Sequence, residues 1–175
     1  QGVQEIINNY DVDGIHFDDY FYPSGIGEEF DAASYKASGT TLSLEDWRRE
    51  NVDTLVKTVY SAVKSLDGDI SFGISPAGNL QNCYKYSYAN VQKWMQHNGY
   101  IDYICPQIYW GFEHSTADYQ SVLDEWSDLT TASNVKLYVG LGAYRIGEGD
   151  GDSVEEWTTS GDVLMRQVQQ ARKEP

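Results

Sequence analysis

Cysteines number two and prolines four in a chain of 175 residues, and Lys and Arg together reach only 12. Each shortage excludes something. Cys83 and Cys105 are too few for a disulfide framework, and no CxxC is present. Cys105 sits in an apolar strand pattern and reads as a buried free thiol, with pairing to Cys83 left open. His16, His97 and His114 lack ligand-like spacing, so structural zinc is disfavoured and no cofactor is expected. Against the 12 basic residues stand 27 acidic ones, a net charge of -15. That balance opposes binding to nucleic acid phosphates or to anionic membrane surfaces. No apolar run approaches the roughly 18 residues of a membrane span. No leader is visible, and the chain opens at Gln1 without a Met, which reads as a piece of a longer protein.

Aromatic residues are plentiful: 14 Tyr, 5 Trp and 5 Phe. Tyr and Trp join a flat apolar face to a polar edge, as sugar rings do. A carbohydrate site and an ordinary core both fit this composition.

The chain alternates strands and helices. Residues 2–9 read as the end of a helix, and "GIHFDDYF" from 14 as a strand. A long polar loop spans 23–42. Ser43 and Asp46 form a capping pattern that opens a helix over 44–66, with Leu55, Val59, Ala62, Val63 and Leu66 as its apolar stripe. Strand 70–75, a loop to about 88, helix 89–98, strand 101–110, helix 117–129, strand 136–144, an acidic Gly-rich loop and helix 160–173 follow. Such alternation implies parallel strands joined by right-handed crossovers, in a doubly wound sheet or a barrel. No GxGxxG opens a helix, which weakens the dinucleotide version. Four β/α units make half of a (β/α)8 TIM-type barrel, so residues 1–175 are expected to form one partial barrel, its C-terminal half. Half a barrel has two open sheet edges, and self-association through them is expected.

Alternation along the strands sorts the side chains. Ile15, Phe17, Phe72, Ile74, Ile104, Ile108, Leu137, Val139 and Leu141 face the helices. The other face then gathers His16, Asp18, Ser71, Gly73, Ser75, Cys105, Gln107, Tyr109, Tyr138, Gly140 and Gly142. A lumen packed for stability alone favours Val, Ile and Leu. This one is polar, small or aromatic, which suits a site at the carboxyl ends of the strands, although a buried polar network without ligand also fits. Asp18 is inward-facing and last on its strand. Asp19 points the other way unless the backbone turns sharply there.

Four blocks, "DVDGIHFDDYFYP", "LEDWRRENVDTLVKTVY", "FGISPAGN" and "DYICPQIYW", span residues 11–110 and together resemble the glycosyl-hydrolase-like family ten. The resemblance implies a bacterial envelope protein with a TIM-type barrel that hydrolyses glycosidic bonds in a polysaccharide, with peptide-free peptidoglycan glycan strands as a candidate. "DGIHFD" is also similar to the fourth-strand motif of the amylase superfamily, where the last Asp is the nucleophile, and that position is Asp18. The same segment is similar to the chitinase pattern DGxDxDxE, but Tyr20 stands where the acid Glu belongs and His16 where an Asp belongs. The chitinase mechanism therefore does not transfer intact.

Glycoside cleavage usually needs two carboxyl groups. Asp18 is one candidate; Asp19 and Glu113 compete for the second. His16, Tyr20, Tyr22, Asn79, Gln107, Tyr109 and Trp110 are candidate sugar-binding residues, with Asn79 equally a turn former and Trp110 in a phase that favours packing. Arg48 and Arg49 lie near a helix start, where they oppose the dipole. One of them is expected to pair with a fixed carboxylate, Asp19 being proposed. "GEGDGDS", 147–153, does not match an EF-hand and reads as a mobile acidic loop. The competing class is a non-catalytic glycan-binding barrel.

Overall fold

The computed structural model describes residues 1–129, 131–132 and 134–173. Its strands are β1 (Gly14–Phe17), β2 (Ser71–Ile74), β3 (Tyr103–Ile104), β4 (Gln107–Ile108), β5 (Lys136–Leu137) and β6 (Gly140–Leu141). All pair in parallel, in the order β1-β2-β3-β5, with β4 and β6 paired beyond. The order follows the chain without reversal, so there is no topological switch point of the doubly wound kind. The architecture is mixed α/β with a parallel sheet, consistent with a partial α/β barrel.

Sequence reading placed single strands at 101–110 and 136–144, and each is split in two. Pro106 has no N–H to give its neighbour and interrupts the ladder between β3 and β4. The trace nonetheless continues: Gln107 N–H reaches Pro76 O at 2.9 Å, and Gly140 N–H reaches Pro106 O at 2.9 Å.

Ile15, Phe72, Ile74, Ile104 and Ile108 are buried in one core with Trp94, Met95, Leu123 and Trp126. The apolar face is therefore the face the helices cover. The helices are α1 (Gly2–Asn9), α2 (Ala32–Ser38), α3 (Leu44–Leu66), α4 (Leu80–Lys85), α5 (Val91–Gln96), α6 (Tyr119–Ser127), α7 (Val154–Thr159) and α8 (Val163–Ala171). Ser43 caps α3 by accepting the Asp46 amide at 3.1 Å.

Two expectations are corrected. The buried stripe of α3 is Val52, Val56 and Val63, whereas Leu55 and Leu66 are exposed; steps of four from Val52 to Val56 and of seven from Val56 to Val63 set the covered face. The loops expected at 23–42, at 76–88 and between 144 and 160 are less extensive than read, because α2, α4 and α7 are short helices with too few turns to show a period. Both cysteines are free, Cys83 buried and Cys105 half-buried.

Candidate active site

β1 ends where its pairing with β2 ends: the last bond is Ser75 N–H to Phe17 O at 2.8 Å. Asp18 follows immediately. Its Oδ1 accepts the Asp19 amide at 2.9 Å and Gln107 Nε2 at 2.7 Å. Gln107 also donates to Ser75 O at 2.9 Å. One amide thus ties three neighbouring strand ends, and it fixes the direction of the Asp18 carboxylate.

The chain turns sharply at Asp19, with Phe21 N–H on Asp19 O at 3.0 Å. This is the bend that brings the second carboxyl beside the first. Burial raises the Asp19 pKa above the usual carboxylate range, and the Asp18 charge and a hydrogen bond to Asp18 raise it further. Asp19 thus holds its proton to higher pH than a free aspartate does. Tyr109 faces the same pair: burial pushes its phenol up, and the charges of Asp18 and Asp19 add to that. Its ring meets Tyr144 edge-on at 5.8 Å. Cys83, close enough for the Asp19 charge to act on it, is pushed up to about 12, chiefly by burial, and donates its Sγ–H to Ala77 O at 3.1 Å.

One step deeper lies a layer of rings. His16 Nδ1 and Tyr103 Oη are 2.9 Å apart, and the two rings stack at 5.8 Å. Tyr138 meets Tyr103 edge-on at 5.4 Å. The Tyr103 ring lies flat over Gly73, where any Cβ would overlap it. His16 and Tyr138 are exposed. Among the described residues, no three His, Cys, Asp or Glu side chains converge as metal ligands would.

A parallel sheet with a carboxylate pair at one strand end is a geometry many hydrolases share, and the comparison with known proteins narrows it. The family described as glycosyl hydrolase-like 10 matches residues 1–159. The chain belongs to that family. Glycosyl hydrolase DigH of Escherichia coli (strain K12) is 36% identical over 178 residues, covering 92% of this chain and 40% of that protein. Glycosyl hydrolase YngK of Bacillus subtilis (strain 168) is 39% identical over 165 residues, covering 83% of this chain and 32% of that protein. The chain thus spans well under half the length of these relatives.

Within this glycosyl hydrolase-like chain, the residues singled out from sequence divide into groups. Asp18, Asp19, Gln107 and Tyr109 come together, with His16 one layer below. Tyr20 is 88% exposed beside them. Tyr22 is engaged elsewhere, packed edge-on to Tyr88 and Phe30 and under the Arg48 guanidinium. Asn79 is a turn former: its side chain caps α4 by accepting the Asn82 amide at 3.0 Å. Trp110 is half-buried against the core, edge-on to His114. Glu113 is exposed; its amide donates to Glu156 at 3.0 Å, and its side chain borders a cleft with Glu155, Thr159, Asp162 and Arg166.

The proposed link from Arg48 or Arg49 to Asp19 is wrong. Buried Arg48 pairs with Asp31 at 2.6 Å, and Arg49 with Asp46 at 2.7 Å. Asp31 is held below the usual carboxylate range by its hydrogen bonds from Arg48. Arg48 also donates to Gly27 O at 2.9 Å and to Tyr88 Oη at 2.8 Å, so it pins the long loop after β1. Asp31, the residue just before α2, was hidden in a stretch without apolar period.

Segment 147–153 is also misread as mobile. Asp150 is buried and accepts from Gly111 N at 2.8 Å, Asp152 N at 3.1 Å, Ser153 N at 2.8 Å, Ser153 Oγ at 2.7 Å and Trp157 Nε1 at 3.0 Å. Burial alone raises its pKa, but these donors reverse that and hold it far below the usual range. Tyr103 was missed among the inward residues although it shares parity with Cys105, Gln107 and Tyr109; the alternation pointed to it.

Proposed function

We propose that the chain supplies half of a (β/α)8-type glycosidase barrel whose reacting carboxylate is Asp18. What carries this reading is the Asp18 carboxylate at the carboxyl end of β1, fixed by Gln107 from across the sheet and flanked by a second carboxyl, Asp19. Family membership and the glycosyl hydrolase names of the relatives support the reaction class.

In this reading Asp18 attacks the sugar or activates water. Asp19 stands in contact with Asp18, closer than the roughly 5–5.5 Å of a retaining pair. Its part is to bond to Asp18 and hold it in place. The acid that protonates the leaving oxygen then stands on another element. Within the chain the candidate is Glu113. Tyr109 and Tyr20 offer rings and hydroxyls to a sugar at the mouth. The net charge of -15 favours a neutral or cationic glycan. Peptide-free peptidoglycan strands at the bacterial cell envelope are the proposed substrate. The open edges at β1 and at β5 and β6 are where further strands of the barrel, or a second copy, would pair.

The test uses the full-length protein on peptide-free glycan strands. Asp18→Asn is expected to cut product formation by on the order of 10³-fold while strand binding persists. Unchanged product formation overturns the proposal. Binding of both forms without product from either indicates a glycan-binding barrel instead.

A further inference from the structure

The segment "GEGDGDS" has no part in the reaction as described, yet it is among the most heavily bonded stretches of the molecule. Its glycines alternate at 147, 149 and 151, and all three adopt the left-handed region, with φ of 84°, 87° and 94°. That coil turns the carboxylates of Asp150 and Asp152 toward a single target, the loop that follows β4. Asp150 accepts the amide of Gly111 at 2.8 Å, and Asp152 accepts the amide of Ser115. Glu156, buried on α7, accepts the amide of Glu113 at 3.0 Å. Three carboxylates from 150–156 thus take the amides of alternate residues 111, 113 and 115. Gly111 permits this approach, since a Cβ there would overlap Glu156 Oε2. From α8, Gln167 Nε2 donates to Trp110 O at 2.8 Å and closes the other side of the loop. Arg166 offsets the Glu156 charge at 2.8 Å.

The clamp begins close to the chemistry. Gln107 touches Asp18, Gly111 touches Asp150, and Tyr109 lies midway between them. Tyr109 is also bounded by Gly142 and by the Tyr144 ring. We propose that residues 147–157 are a positioning element for the site: Asp150, aided by Asp152 and Glu156, holds the loop after β4 by its backbone and so fixes Tyr109 and Gln107 against Asp18. Because the grip is on the loop's backbone, the exposed Glu113 side chain is left out of the clamp. This inference rests on the glycosidase reading above.

The experiment compares Asp150→Asn with the wild type in the full-length protein, below the melting temperature. Backbone amide exchange at 111, 113 and 115 is expected to rise about tenfold or more, with exchange in β2 unchanged. On peptide-free glycan strands, kcat is expected to fall about tenfold while KM moves by less than about twofold. A clamp that serves only stability loosens the amides and leaves kcat unchanged, and that result overturns the inference. Should Asp150→Asn fail to fold, Asp152→Asn carries the test, because that side chain is 41% exposed. It is expected to free Ser115 and lower kcat by about twofold or threefold, and an unchanged kcat overturns the inference. Asp18→Asn run in parallel separates the two failures. If Asp18→Asn leaves product formation intact, the glycosidase reading falls and the positioning role with it. If it abolishes product while Asp150→Asn does nothing, only the positioning role falls.

Discussion

Asp18 and Asp150 are the same side chain in opposite circumstances. Asp150 is buried and its two oxygens meet five donors. Asp18 is exposed; Asp19 N and Gln107 Nε2 both donate to its Oδ1, and the Asp19 carboxyl bonds to it as well. A carboxylate with its lone pairs filled is a fastener, and it has nothing left for a substrate. A carboxylate that is exposed and less fully bonded can react. The contrast also explains the neighbours: Asp150 is surrounded by the backbone it secures, whereas Asp18 has beside it a second carboxyl with a raised pKa, two tyrosines and a histidine.

The sharpest way to break this contrast is to delete each carboxylate and measure stability. Asp150→Ala leaves several buried donors without acceptors, at about 1–3 kcal/mol each, and is expected to cost roughly 3 kcal/mol or more by urea unfolding. Asp18→Ala in the same assay is expected to change stability by less than about 1 kcal/mol. Equal losses would erase the distinction between fastener and reactant. A smaller effect is expected from Gly111→Ala, which pushes the loop off Glu156 and is expected to cost about 1–3 kcal/mol.

Asp150 and Asp19 are also expected to titrate in opposite senses. The folded pKa of Asp150 is depressed. Its stabilisation is therefore complete above the ordinary value near 3.9 and is lost as pH falls through the lower folded value. Asp19 is raised, so its burial penalty weighs at pH above its folded value and is relieved as pH drops through it. Carboxyl NMR titration checks both directions. In Asp18→Asn, Asp19 is expected to move down toward the ordinary range but to stay above it, because burial is the largest cause of its shift. The smallest effect concerns the thiols. Cys83 is expected to resist alkylation at neutral pH until the protein unfolds, and Cys105, half-buried, to react sooner.

Much of this was legible beforehand because it is periodic or capped. Helix α3 was readable over 44–66, its start from the Ser43 and Asp46 cap, and the outward face of the sheet from Ile15, Phe72, Ile74, Ile104 and Ile108. Asp18 and Gln107 were both placed inward by strand parity. Parity could not say that Gln107 would spend its amide on Asp18 and Ser75 rather than wait for a sugar. The helices α2, α4 and α7 were hidden because six or seven residues carry too little period. The Arg48–Asp31 pair spans a loop with no pattern to fix its register. The Asp150 fastener was misread because alternating Gly and Asp look like disorder until the left-handed turns aim the carboxylates.

Gly73 and Tyr103 form a matched pair of absence and bulk. Because the ring occupies the volume that a side chain on the neighbouring strand would need, the two positions are expected to vary together. Relatives with a larger residue at 73 should have a smaller one at 103. Anyone reshaping the floor of the site should therefore trade the two residues in a single step, starting from Tyr103→Ala with Gly73→Ala.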